Sequence, residues 1–129
     1  MPSGLGTALQ NAVGTLRTAL TQQDAFRRRL AHEAAHDGLT NIANRNASVA
    51  QLGRSLARTD RSGGQLGVLF IDLDQFKAVN DTFGHAVGDE VIAQTGRRIA
   101  QAVRRGDDAY RTGGDEFVVG CDPDCGDDA

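Results

Sequence analysis

The order of local patterns along the chain predicts an α+β fold: helix, helix, strand, helix and a closing hairpin. Three observations carry that reading. Residues Leu66 to Leu73 are almost continuously apolar, with Val68-Leu69-Phe70-Ile71 at the centre, as expected of a strand buried on both faces and central in its sheet. Gly113-Gly114 separates two short β-type runs, Ala109–Thr112 and Phe117–Val119, and glycines tolerate the positive φ that a tight hairpin demands. The intervening segments show helical periodicity, without internal repeats or low-complexity stretches.

Residues 7–35 read as one long helix. Leu9, Val13, Leu16, Leu20, Gln23, Arg27, Leu30 and Ala34 fall at heptad spacing. The first four fit the apolar seam of a parallel coiled coil, but Gln23 and Arg27 interrupt it, so an amphipathic helix packed on its own domain is the competing reading. Asp37 to Arg45 is a polar, turn-forming junction. A second helix follows, with Val49, Leu52 and Leu56 on one face and Arg54 and Arg58 on another. Thr59 to Gln65 is a loop by composition. The Leu66–Leu73 strand then exits through Asp72 and Asp74. Asp89 to Arg105 forms the next helix, with Val91, Ile92, Thr95, Ile99, Ala102 and Val103 expected to face inward and Gly96 weakening it by about 1 kcal/mol relative to Ala. Arg104-Arg105-Gly106 ends it, the basic residues suiting the helix dipole and the glycine acting as a stop.

Composition narrows the class of function. A chain of 129 residues with 40% hydrophobic and 24% charged residues is a soluble globular domain with at most a small appendage. Its net charge of −3 argues against nucleic acid as a partner, and five Phe, one Tyr and no Trp offer little for bases to stack on. No apolar run approaches the ~20 residues that cross a bilayer. The N-terminus lacks the basic start and apolar core of a signal peptide, so a cytoplasmic location is expected. Cys121 and Cys125 lack the additional His or Cys that a zinc site needs, and read as reduced thiols in a loose tail.

The chemistry concentrates at Gly113-Gly114-Asp115-Glu116-Phe117. Two carboxylates at a glycine turn, beside a strand that ends in Asp72, form a hard oxygen donor set for Mg²⁺ (or Mn²⁺) that keeps water and shares substrate phosphates. Paired cations in such sites activate a hydroxyl and neutralise a leaving phosphate. Acids at strand ends and turns are also commonly just solvated; for Asp72, Asp115 and Glu116 together the metal reading is favoured. His32 and His36 belong to polar helical surface, and His85 shapes the turn after Gly84.

Four ordered blocks carry a family resemblance. These are the junction with Asp37, Leu39, Thr40, Asn44 and Arg45; the strand exit Phe70–Lys77; Asn80–Asp89; and Gly113–Phe117. From Ala34 to Val119 the chain resembles a GGDEF domain, the catalytic module of bacterial diguanylate cyclases. The resemblance implies a nucleotidyl cyclase-like, ferredoxin-like palm with a mainly antiparallel central sheet, preceded by the long N-terminal helix. It divides the chain into residues 1–35, a signalling and dimerisation helix, and 36–129, the GGDEF domain. It also implies condensation of two GTP into cyclic di-GMP with release of two pyrophosphates.

Carried over residue by residue, the resemblance gives Asp72 a Mg²⁺-ligating carboxylate and Leu73 a ligating main-chain carbonyl. Asp115 binds metal and helps deprotonate the attacking ribose 3′-hydroxyl, and Glu116 supports the same cations. Gly113 and Gly114 leave room for the α-phosphate. The amides of Gln75 and Phe76, with Lys77, face the β- and γ-phosphates. Asn80 and Asp89 hydrogen-bond the guanine edge, which explains a preference for GTP over ATP. Arg104 and Asp107 match an allosteric site at which the product cyclic di-GMP inhibits. Plainer roles compete for some of these residues: Asp89 as the N-cap of its helix, Asn80 as a turn residue, Lys77 as a solvated charge, and Arg104 as a helix-end cation. Because each domain holds one GTP, two must meet face to face, and a homodimer through the N-terminal helix is implied.

Two departures from the family pattern stand out. Thr40-Asn41-Ile42-Ala43-Asn44-Arg45 lacks the usual Gly and Leu-Pro, which affects loop stiffness. Family domains also continue past the hairpin with a helix, a flanking strand and a closing helix bearing basic phosphate contacts. Their absence here is expected to leave an apolar edge on the Leu66–Leu73 strand and to weaken turnover. A non-catalytic module binding GTP or cyclic di-GMP is therefore the alternative function.

Overall fold

The computed structural model describes residues 4–122. Cys125 and the rest of the acidic tail lie outside the described residues. The chain forms two compact units, Met1–Ala34 and Ala35–Ala129.

Nearly all of the first unit is one helix, α1 (Gly4–Ala35), which buries none of its side chains. Leu9, Val13, Leu16, Leu20 and Leu30 are each about half exposed. A 32-residue helix without a buried residue lacks the buried amphipathic face that is the usual source of helix stability.

The second unit opens with the expected turn-rich junction. Asn44 caps α2 (Arg45–Ser62) by accepting the Ala47 amide at 3.0 Å, and Gly63 closes it in the left-handed conformation with φ of 76°. The loop expected over 59–65 is thus helical as far as Ser62. The face expected to be apolar is also corrected: Val49 and Leu56 are exposed, and Ser48, Ser55 and Thr59 are buried. The hydroxyls of Ser48 and Thr59 bond back to the carbonyls of Arg45 and Leu56 at 2.7 and 2.8 Å, so these short polar side chains are satisfied within their own helix and let it lie close to the sheet. Leu52 meets Gly120, where an added Cβ would lie 2.9 Å from its Cδ2.

The sheet holds β1 (Gly67–Asp72), β2 (Asp108–Gly113) and β3 (Glu116–Cys121), antiparallel throughout, in the order β1-β3-β2. The strand read from its apolar run as buried and central lies at the edge among the described residues, and the apolar edge expected on it is there, with Leu69 and Phe70 56% and 74% exposed. β3 takes the centre, and its Phe117, Val118 and Val119, with Tyr110 and Ile92, make the core. An apolar run signals burial potential, whereas strand order depends on pairing between distant segments, which local pattern does not encode.

Two helices, not one, connect β1 to β2. α3 (Phe76–Phe83) has no counterpart in the sequence reading, and α4 (His85–Ala102) begins four residues before Asp89. Asp89 is thus inside α4 and does not cap it; Gly84, with φ of 90°, precedes the helix. His85 is the first helical residue. Asn80 lies in the last turn of α3, not in a free turn. On α4 the buried face is Gly88, Ile92, Ala93 and Gly96, while Ala102 is exposed. Gly96 is there for space: a Cβ would come within 2.7 Å of the Thr40 Cβ.

Candidate metal and nucleotide site

The β2–β3 hairpin carries the Gly-Gly-Asp-Glu-Phe run. Its ladder pairs Arg111 with Phe117 but Gly113 with Glu116, so Thr112 is an extra residue and the strand bulges just before the turn. Gly113 and Gly114 have φ of 153° and 50°, and the second value is costly for any residue with a Cβ.

On the other side, β3 pairs with β1 so that Glu116 lies opposite Asp72, and the Leu73 amide donates to the Asp115 carbonyl at 3.3 Å. The strand exit and the hairpin acids therefore adjoin, although 43 positions separate Asp72 from Asp115. Their closeness appears in the charge balance. The Asp115 charge, and a hydrogen bond to that carboxyl, push the Asp72 pKa above the ordinary aspartate value, with lesser contributions from burial and from Glu116. Negative charge gathered at one corner is what a hard divalent cation relieves, and the oxygen-only donor set fits Mg²⁺ or Mn²⁺. Glu116 is turned to another partner, accepting the Thr112 hydroxyl at 2.7 Å. Among the described residues no three His, Cys, Asp or Glu side chains are gathered into a formed cation cage.

The remaining candidates fall into two places. Gln75, in the left-handed conformation at φ of 59°, turns the chain from β1 into α3, with Phe76 and Lys77 in its first turn. First-turn amides lack intrahelical acceptors, and Lys77 is exposed beside them. Asn80, half-buried on α3, packs against α4 at Gly88, where an added Cβ would come within 2 Å of the Asn80 Oδ1. Gly88 thus leaves room for the Asn80 side chain, and Asp89, the next residue along α4, is exposed.

Arg104 and Asp107 lie in the turn after α4. One Asp107 carboxylate oxygen accepts the Arg104 amide at 3.1 Å and lies 3.5 Å from the Arg104 Nε. The other oxygen is buried with no hydrogen-bond partner among the described residues, while the Arg104 side chain is 65% exposed.

Sequence reasoning missed the part played by Arg111 and Asp37. Arg111 Nε and Nη2 both donate to the Gly114 carbonyl, at 3.1 and 2.8 Å. Its Nη1 donates to both Asp37 oxygens at 3.0 and 3.1 Å. Asp37 in turn accepts the Leu39 amide at 3.2 Å, the Thr40 amide at 2.9 Å and the Thr40 hydroxyl at 2.8 Å. Burial acts to raise the Asp37 pKa, but the Thr40 bonds and Arg111 outweigh it and hold it below the ordinary value. A charged residue inside a short strand was the one available signal.

A three-stranded antiparallel sheet with helices before it and between its strands, and acids meeting where β1 ends and the hairpin turns, is the architecture of a nucleotidyl cyclase palm. The model of the family described as "Diguanylate cyclase, GGDEF domain" matches residues 34–123. The chain belongs to the GGDEF-domain family. It is 44% identical over 107 residues to an uncharacterized signaling protein of Caulobacter vibrioides, covering 79% of this chain and 13% of that protein. It is 47% identical over 70 residues to the diguanylate cyclase TpbB of Pseudomonas aeruginosa, covering 54% of this chain and 16% of that one. Among solved structures, the coiled coil and GGDEF domain of DgcB from Caulobacter crescentus, in complex with c-di-GMP, superposes with a TM-score of 0.82 at 30% identity, over 88% of this chain and 59% of that one. The chain thus spans under a fifth of each of these two curated relatives.

Proposed function

We propose that this domain is a diguanylate cyclase, condensing two GTP into cyclic di-GMP and releasing two pyrophosphates. The observation that carries the reading is the closeness of Asp72 to Asp115, with Glu116 opposite Asp72 in the register of the adjacent strand. Family membership and a relative solved with c-di-GMP support it.

Asp72, the Leu73 carbonyl, Asp115 and Glu116 would hold Mg²⁺ (or Mn²⁺). When bound, the cation neutralises phosphate charge and lowers the pKa of the attacking hydroxyl. Asp115 takes the proton of one GTP's 3′-hydroxyl, the 3′-oxygen bonds to the α-phosphorus of the other, and pyrophosphate leaves. Gly113 and Gly114 leave the α-phosphate unobstructed. The amides of Gln75 and Phe76 and the Lys77 ammonium receive the β- and γ-phosphates, and Asn80 and Asp89 read guanine. Positioning and charge neutralisation provide most of the acceleration in such transfers. Arg104, exposed and lightly tethered to Asp107, is suited to cyclic di-GMP as an inhibitor. Residues 1–35 serve as the dimerisation helix that brings two GTP-loaded domains, residues 36–129, together in the cytoplasm, with neither nucleic acid nor membrane as partner.

The test incubates the protein with GTP and Mg²⁺ and assays for cyclic dinucleotide beside an Asp115→Ala control. Product from the wild type alone supports the cyclase. GTP or cyclic di-GMP binding without product overturns it in favour of a binding module.

A further inference from the structure

The turn that carries Asp115 is poorly fixed by its own backbone. It contains two adjacent glycines, the residue type that loses most conformational freedom on ordering. The bulge at Thr112 breaks the ladder immediately before it. The Leu73 amide holds the Asp115 carbonyl only at 3.3 Å.

Arg111 supplies the missing restraint. Two of its nitrogens converge on the Gly114 carbonyl, the peptide that leads directly into Asp115, and the third grips both oxygens of Asp37. The guanidinium is planar and rigid, so fixing one side of the fork orients the other. Asp37 is itself immobilised by three donors from Leu39 and Thr40. Arg111 and Asp37 are only 16% and 19% exposed, which spares the pair most of the screening that weakens surface ion pairs. The Arg111 amide is also tied to the Ala43 carbonyl at 2.9 Å, so both ends of the residue anchor to the junction.

We infer that Arg111 and Asp37 are a positioning pair for nucleotidyl transfer, a strut from the junction turn to the Gly114 carbonyl that sets the direction of the Asp115 carboxylate. Neither residue touches substrate. Their effect passes through one peptide plane, and it falls on the chemical step and on cation binding more than on nucleotide recognition. The inference rests on the proposed function for its turnover readout but not for its cation readout.

The experiment compares wild type, R111K, R111Q, D37N and the R111Q/D37N double variant in the intact protein. It records kcat and KM for GTP with Mg²⁺, Mn²⁺ affinity by electron paramagnetic resonance, and folding by circular dichroism. R111Q is expected to lower kcat at least tenfold with KM within threefold, and to weaken Mn²⁺ binding at least fivefold. D37N shifts both in the same direction, and the double variant costs less than the product of the singles, the signature of one shared pathway. R111K keeps the charge facing Asp37 but cannot fork, so it recovers less than half of the lost kcat; it also carries the test should R111Q fail to fold. Unchanged kcat and Mn²⁺ affinity in R111Q, or independent, multiplicative effects of the two variants, overturn the inference. A wild type that binds Mn²⁺ without turnover, with R111Q still weakening that binding, sinks the cyclase reading and leaves the strut standing. A wild type that does neither overturns both.

Discussion

Asp72 and Asp37 are two aspartates whose proton affinities move in opposite directions, and the pair gives a pH signature. Asp72, pushed up by Asp115, has a folded pKa above its unfolded one. Any stability it contributes is present below the ordinary value of 3.8 and is lost as pH rises through the folded pKa. Near neutrality it is therefore a liability. Asp72→Asn is expected to raise Tm at pH 7 and not at pH 3.5, and Mg²⁺ should raise the Tm of wild type but not of that variant. Asp37, held low, contributes stability above its unfolded pKa that is lost as pH falls through the folded one. Asp37→Asn should cost about 2 kcal/mol at pH 7, the scale of hydrogen bonds to charged groups, with the cost shrinking in acid. Thermal melts of both variants across that range check the opposed slopes. The acids at the site were legible because glycines and carboxylates mark a turn locally. The Asp37–Arg111 strut was not, since its two residues are 74 positions apart and spacing says nothing of contact at that distance.

At the level of elements, Gly96 sets helix propensity against packing. Alanine there would gain about 1 kcal/mol of propensity, but its Cβ would press on Thr40 Cβ and Cγ2 at 2.7 and 2.8 Å. Overpacking of that kind costs about 1–3 kcal/mol, so Gly96→Ala should destabilise. Thr40→Ser, which keeps the hydroxyl on Asp37 and removes the methyl, should recover part of the loss in a denaturant double-mutant cycle. The same residue shows why the sequence reading of α4 was incomplete. A lone glycine reads as a weak point until its neighbour across the interface is known. α3 escaped notice for a different reason: it spans eight residues and starts from Gln75 in the left-handed conformation, with no side-chain cap hydrogen bond to announce it. The hairpin, by contrast, was legible in its turn and two strands, whose residues agree with one another, though not in its bulge at Thr112.

For the molecule as a whole, two of the exposed apolar surfaces among the described residues call for different experiments. β1 offers an unpaired edge among the described residues, with Phe70 74% exposed. Light scattering of the 129-residue chain should show concentration-dependent association, and Phe70→Glu should suppress it. α1 offers a long apolar stripe with polar interruptions, and its proposed role as a dimer seam predicts that Leu16→Asp with Leu20→Asp yields monomers by sedimentation and lowers turnover at low protein concentration. The overall α+β class followed from element order, and the exposed edge of β1 from setting the chain beside the family pattern, but the local pattern of β1 alone did not place it. The apolar run within Leu66–Leu73 looks the same whether headed for the middle of a sheet or its rim.

The surplus residue at position 112 has a bearing on how this motif tolerates change. Side chains alternate along a strand, so removing one amino acid shifts the phase of everything beyond it. Deleting Thr112 would leave both glycines and both acids in the chain yet cancel the irregularity that sets where the bend falls against β1. Point replacements around the bend trade one side chain for another, whereas a one-codon loss at 112 straightens β2 into the turn and removes the hydroxyl that Glu116 accepts, while the β1–β3 register still sets Glu116 opposite Asp72. What such a deletion takes away is the local bend that presents the two glycines, not the pairing that faces the acids to one another.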